Sequence, residues 1–203
     1  QQANDLLDGL DNGGRLTVVD VRATVTSGKA DRFFLVRPGT DYTLNMAVIQ
    51  ILLKQKLYDA AYAEKWIADL DELVRLTAGF SPEAAEAETG IPAGDIEALA
   101  RDLAKAAPNV VWHPGWRTAR YTDSFFVCRT AFIINVLLGS VGARGGLPLS
   151  SRPEDLGQKG LRRFSDLFPA AAEQRADGVA GKYPAFEGGP GLLHTALGAI
   201  HSN

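Results

Sequence analysis

Two carboxylates and their neighbours stand out in the amino-acid sequence. Asp20 closes a short β-branched run, Leu16 to Val19, and Arg22 follows two residues later. A second apolar run, Phe33 to Val36, ends in Arg37-Pro38-Gly39-Thr40-Asp41. An acid at the carboxyl end of a buried parallel strand lies where open α/β sheets bind ligands. It can accept two hydrogen bonds from a ribose diol or from the N–H edge of guanine. Arg22 is within reach of a phosphate or a second carboxylate. Pro38 removes a ladder donor, Gly39 permits a positive φ, and Thr40 or Asp41 can cap a following helix. Each piece alone reads as a strand terminator or an N-cap. Together they are the chemistry of a nucleotide site.

A third group lies in Trp116-Arg117-Thr118-Ala119-Arg120-Tyr121, after a strand candidate at Asn109 to His113. Arginines beside aromatic rings suit an anionic, planar or phosphate-bearing ligand, through bidentate bonding and stacking. The alternative is a surface loop whose tryptophan packs back on the sheet. Gly142, Gly145 and Gly146 follow a helix instead of a strand, so they do not form a dinucleotide fingerprint. They permit close backbone approach to a flat ligand, or simply a flexible turn.

The elements that must position these residues read as follows. Asn4 to Leu10 suits a short helix ending at Asn12-Gly13-Gly14. A helix leading into the Leu16 strand is the second half of a βαβ unit, whose first strand would lie upstream of Gln1. After Asp41, Leu44, Ala47, Val48, Ile51 and Leu52 form the stripe of a helix with one core face. A helix from Asp59 carries Trp66 as a packing residue. Leu70 to Leu76 is helical, Ser81-Pro82 opens a helix that ends at Gly90, and the next stops at Pro108. The acids of this region (Glu83, Glu86, Glu88, Asp95, Glu97) read as a solvated face. The helix from Phe125 to Leu138 is apolar almost all round, which predicts burial on several sides, with Cys128 as a small core residue and Asn135 in need of a buried partner.

Composition bounds the rest. The chain has 203 residues and a formal charge of −3, with no basic run, which argues against nucleic acid as a partner. No apolar run reaches the roughly 20 residues of a membrane span. One cysteine excludes an internal disulfide and a C-x-x-C metal site, and the three histidines lack zinc spacing. From Leu147 glycine and proline become frequent. Helices are plausible there only at Leu161 to Phe168 and Leu192 to Ile200, as in a segment that drapes over a larger body.

Three blocks resemble one family: V-V-D-x-R with A-D-x-x-x-x-x-R-P-G-T-D (Val18 to Asp41), the His113-to-Tyr121 loop, and L-L-G-x-x-G-x-x-G-G (Leu137 to Gly146). In order and spacing they resemble the third domain of the molybdopterin oxidoreductases, typified by dimethyl sulfoxide reductase. The family usually has proline where this chain has Val21. The W-H-P-G-W-x-T-A-R-Y wording is most similar to thiosulfate and polysulfide reductase catalytic subunits. The resemblance implies an α/β fold: a Rossmann-like three-layer domain with a short, mostly parallel sheet over residues 1–148. Residues 149–203 would be an irregular Gly/Pro-rich extension belonging to a neighbouring domain. It implies that Asp20, Arg22, Gly39 and Asp41 hold the guanosine end of a molybdopterin guanine dinucleotide. Trp116, Gly142, Gly145 and Gly146 would face the pterin and the molybdenum pocket, and Arg117 the substrate anion.

The chain has no cysteine cluster motif and no placed ligand for molybdenum, so the resemblance implies a piece of an enzyme, inactive alone. The parent would carry an iron–sulfur cluster elsewhere, pair with an iron–sulfur electron-transfer subunit and a membrane anchor, and work in the periplasm. Two rivals stand beside this reading. One is a molybdenum-free structural subunit of the same fold, which would not need the guanosine acids. The other is an unrelated nucleotide-binding α/β domain, in which the Trp116–Tyr121 loop has no job.

Overall fold

The computed structural model describes residues 2–115, 118 and 124–149. Seven helices and two strands follow one another: α1 (Gln2–Asp11), β1 (Thr17–Asp20), β2 (Arg32–Leu35), α2 (Asp41–Lys54), α3 (Ala60–Trp66), α4 (Leu70–Thr77), α5 (Pro82–Thr89), α6 (Ala93–Ala106) and α7 (Ser124–Leu137). β1 and β2 pair in parallel, with Thr17 opposite Arg32 and Asp20 opposite Leu35. The short helical turn Ser27–Lys29 lies in their connection. The architecture is α/β, with a small parallel sheet among many helices.

The helix starts follow local chemistry. The side chains of Asp59, Asp69 and Ser81 accept the backbone N–H three residues on, so each N-cap satisfies a donor that the first turn leaves free. Pro82 then occupies a position where its missing N–H costs nothing, and Gly90 ends α5 in the left-handed region at φ 79°.

Among the described residues, α2 is the helix around which the others pack. The sequence predicts one core face, yet Leu44, Met46, Ala47, Val48, Ile49, Ile51, Leu52 and Leu53 are all buried. The reason is that α4, α5, α6 and α7 all pack around it. Each large aliphatic side chain so buried contributes about 1.5–3 kcal/mol. The first residue of this encased helix is Asp41, which is thereby held in a fixed place.

β2 is tied to α6 through Arg32. Its guanidinium meets Asp102 at 2.8 Å and Asp95 at 3.5 Å, and lies 5.0 Å from the Phe34 ring centroid.

Four expectations change. Asn109 to His113 is not a strand: the N–H of Trp112 donates to Asn135 Oδ1 at 2.9 Å, and its carbonyl accepts Asn135 Nδ2 at 2.8 Å. A side-chain amide on α7 thus takes the place of a neighbouring strand. This is also the buried partner Asn135 requires. Second, α7 is not enclosed all round, since Phe125, Phe126 and Phe132 are exposed. Third, Cys128 shares that outer face and is exposed, not a core residue. Finally, Trp66 is 61% exposed, and among the described residues its ring partners are Tyr62 and the Lys65 ammonium. The predicted helices at 161–168 and 192–200 lie outside the described residues.

Candidate functional site

The site is assembled where β1 ends and α2 begins. The N–H of Val36 donates to the carbonyl of Asp20 at 3.1 Å, so the two strand ends stay in register as far as the loop that leads to α2. Gly39 turns that loop at φ 82°, with open space where a Cβ would stand. Thr40 precedes α2 but does not cap it, because its hydroxyl donates to the Arg37 carbonyl at 2.8 Å. The first N–H groups of α2 therefore receive no side-chain acceptor from Thr40. A helix N-terminus of this kind favours an acceptor or an anion.

Asp41 is half-buried there. Burial pushes its carboxyl above the ordinary range, its own backbone N–H works in the opposite direction, and the negative charge of Asp20 adds to the rise. The two acids are thus close enough to oppose each other. Neither carries a salt bridge among the described residues. Asp20 Oδ1 accepts the Val21 N–H at 2.7 Å. Two neighbouring carboxylates without a cation call for donors, such as ribose hydroxyls or a guanine N–H edge, and repel a phosphate.

Arg22 is exposed and free of salt bridges among the described residues. Arg37, by contrast, is committed to structure: Nη1 donates to the carbonyls of Ala87 at 2.6 Å and Glu88 at 3.2 Å, closing the end of α5. Among the described residues, the arginine after the first strand is free of salt bridges, whereas that after the second is committed.

A cleft of about 230 Å³ adjoins Asp41, running between β1 and residues 111–115 over Leu44, Asn45 and Val127. Its far wall is fixed by two buried amides. Asn45 Oδ1 accepts the Trp112 indole N–H at 2.9 Å, while Asn45 Nδ2 donates to Thr130 Oγ1 at 3.0 Å and to the Val127 carbonyl at 3.2 Å. Asn135 holds the Trp112 peptide itself. The loop His113-Pro114-Gly115 is thereby set opposite Asp41, with the Gly115 N–H donating to His113 Nδ1 at 3.0 Å. Asn45 and His113 were not singled out from sequence as site residues. The available signal was an asparagine inside the apolar pattern of a central helix.

Trp116 and Arg117, like Arg120 and Tyr121, lie outside the described residues. Gly142, Gly145 and Gly146 are not among the residues lining this cleft. A Cβ on Gly146 would stand 2.1 Å from the Ser140 carbonyl oxygen and 2.9 Å from that of Pro108. One on Gly145 would meet Asn109 at 3.4 Å. Gly142 and Gly145 adopt φ 79° and 78°, and a Cβ on Gly142 would meet Leu149 at 3.3 Å, so local turn geometry and close packing bear on all three positions.

No protein-family model matches the chain. It is 28% identical, over an alignment of 202 positions that takes in 96% of the chain, to the thiosulfate reductase molybdopterin-containing subunit PhsA of Salmonella typhimurium, and covers 27% of that protein. A Staphylococcus aureus protein provisionally named a formate dehydrogenase is 35% identical over 84% of the chain, which covers 18% of it. Among solved structures, acetylene hydratase from Pelobacter acetylenicus superposes on 68% of the chain with a TM-score of 0.64 and 29% identity, the match covering 19% of that enzyme. The chain thus spans between about a fifth and about a quarter of the length of these relatives. With three separated blocks in family order and a two-acid site at a parallel strand's end, the chain belongs to the molybdopterin oxidoreductase family, of which it carries one segment.

Proposed function

We propose that this chain is a cofactor-binding segment of a molybdenum bis-molybdopterin guanine dinucleotide oxidoreductase whose parent reduces an inorganic sulfur compound such as thiosulfate or polysulfide. The observation that carries the reading is Asp20 at the end of β1, held beside Val36 by its carbonyl, and Asp41 at the first residue of α2, neither in a salt bridge among the described residues. Both carboxylates accept from the guanosine, Arg22 pairs with the adjoining phosphate, and Gly39 lets the backbone approach it.

The domain is Rossmann-like and three-layered over residues 1–148, and residues 149–203 belong to its neighbour. Trp116 and the Gly142–Gly146 turn face the pterin, and Arg117 stabilises charge on the departing sulfur or oxyanion product. The bound molybdenum cofactor supplies the two-electron chemistry. This chain holds its nucleotide tail. An iron–sulfur cluster elsewhere in the parent, an iron–sulfur electron-transfer subunit and a membrane anchor deliver electrons, on the periplasmic side. The relative named as a thiosulfate reductase supports the sulfur substrate.

The test is oxidation of a reduced viologen dye. The parent enzyme is expected to consume dye with thiosulfate or polysulfide, and the 203-residue chain alone to consume none. Turnover by the isolated chain would contradict the assignment, as would a parent that accepts neither compound.

A further inference from the structure

Three polar side chains sealed in the apolar interior form one connected chain with Trp112. Asn45, Asn135 and Ser140 are all buried. The Trp112 indole N–H donates to Asn45 Oδ1 at 2.9 Å, its peptide groups are held by Asn135, and the Ser140 hydroxyl donates to Asn135 Oδ1 at 3.2 Å. Hydrogen bonds thus link α2, the 111–115 segment, α7 and the turn after α7. Among the described residues no buried side-chain nitrogen or oxygen lacks a partner, so this network is fully satisfied. A satisfied buried network fixes one arrangement of the elements it joins, where well-packed apolar side chains would hold them about as firmly.

The bond from Trp112 to Asn45 is the informative one. Asn135 already satisfies both peptide groups of Trp112, so the irregular backbone has its partners without Asn45. Asn45 does nothing for its own helix either: among the described residues its amide bonds go to Trp112, Thr130 and the Val127 carbonyl, all off α2. Its neighbours Leu44, Met46, Ala47 and Val48 are buried and apolar, and asparagine is a poorer helix former than leucine. What the residue adds is position. Asp41 and Asn45 lie four residues apart in α2, hence one turn apart on the same face, and both line the cleft with Trp112 and His113. The indole therefore sets the 111–115 segment against the turn of α2 that carries Asp41. Ser140 extends the same control to the Gly142–Gly146 turn, since its carbonyl accepts the Leu147 N–H at 2.9 Å.

We propose that Trp112 is a positioning residue: through its indole N–H it fixes the span between the acid-bearing end of α2 and the 113–115 wall, and so the fit of an elongated ligand that must touch both. The inference rests on the reading of this segment as the holder of a dinucleotide cofactor, one end of which the acids take. Trp112 itself need not touch the ligand. Without the indole bond the nucleotide end stays held and the reacting end is misplaced, and a small misplacement of that kind is costly to rate.

Trp112→Phe removes the N–H and leaves a ring in place. In the parent enzyme this variant is expected to release as much guanine per protein as the wild type. With thiosulfate or polysulfide, whichever the parent accepts, it is expected to oxidise reduced viologen about tenfold more slowly at saturation. The double variant Trp112→Phe, Asn45→Leu leaves no amide unpaired there, and Thr130 keeps its bond to the Phe126 carbonyl. It is expected to recover the wild-type melting temperature but not the rate. Wild-type turnover in Trp112→Phe, or a rate that returns with the melting temperature, would overturn the proposal by making the bond a matter of stability alone. So would guanine lost in step with the rate. A wild-type parent that carries no guanine or accepts neither compound contradicts the proposed function instead, and the 203-residue chain, which needs no cofactor for the measurement, then decides. There the amide of residue 112 is expected to exchange about tenfold faster in Trp112→Phe, with Ala85 on α5 unchanged. Equal exchange at residue 112 would overturn the positioning role.

Discussion

At the scale of single residues, Asp41 is the group whose chemistry is most altered by the fold. Its carboxyl is raised by burial and by Asp20, so the folded state holds the proton more tightly than the unfolded chain does. Stability then falls as pH rises from the ordinary carboxylate range through the raised value, and the penalty is complete at neutral pH. Asp41→Asn removes that penalty. The variant is expected to melt a few degrees above the wild type at pH 7, the gain shrinking toward zero as pH falls below the ordinary Asp range. Thermal melts across pH check this, and a variant less stable at pH 7 would show that the carboxylate makes a bond worth more than its burial costs. A group kept at such a cost is what a binding site requires.

The positions of Asp20 and Asp41 were legible in the sequence, because a β-branched run that stops at an acid marks a strand end and Pro-Gly-Thr-Asp marks a helix start. Arg37 was not. Its role at the end of α5 depends on a partner fifty residues away, and no local pattern signals that. Gly146 was read as freedom to approach a ligand, whereas the Ser140 and Pro108 carbonyls leave no room for a Cβ at all.

At the scale of elements, the decisive pair is α2 and α7, which hold the 111–115 segment through Asn45 and Asn135. Asn135 makes bonds to the Trp112 N–H and carbonyl, to the Ala131 carbonyl and from the Ser140 hydroxyl, while being 1% exposed. Asn135→Leu keeps the branching of the side chain but strands the Trp112 peptide groups. It is expected to cost about 2–4 kcal/mol in urea denaturation, because the buried partners lose their bonds without regaining water. A loss below about 1 kcal/mol would mean that the segment is held by other means. Helix existence was readable from caps and periodicity, as Asp69, Ser81 and Gly90 illustrate. The segment around Trp112 was not readable as irregular, since its β-branched composition is that of a strand. It lacks a described strand neighbour, and a side chain on α7 stands in for one. The same distance problem hid the exposure of Phe125, Phe132 and Cys128. An apolar helix face reads alike whether it packs on its own domain or waits for another.

At the scale of the whole molecule, the helix that the others pack around among the described residues carries Asp41 at its first residue, and β1 of the sheet ends in Asp20. The rest of the described chain supports that arrangement. The part we propose for this segment, holding the nucleotide tail of the cofactor, rests on those two acids. That part is tested most directly by asking what the parent enzyme releases when it is denatured and its nucleotide bonds are hydrolysed. Guanine nucleotide is expected in amounts stoichiometric with the purified protein, and a severalfold lower yield from the Asp20→Ala, Asp41→Ala double variant. Release of no guanine by the wild type, or an undiminished yield from the double variant, would contradict the account.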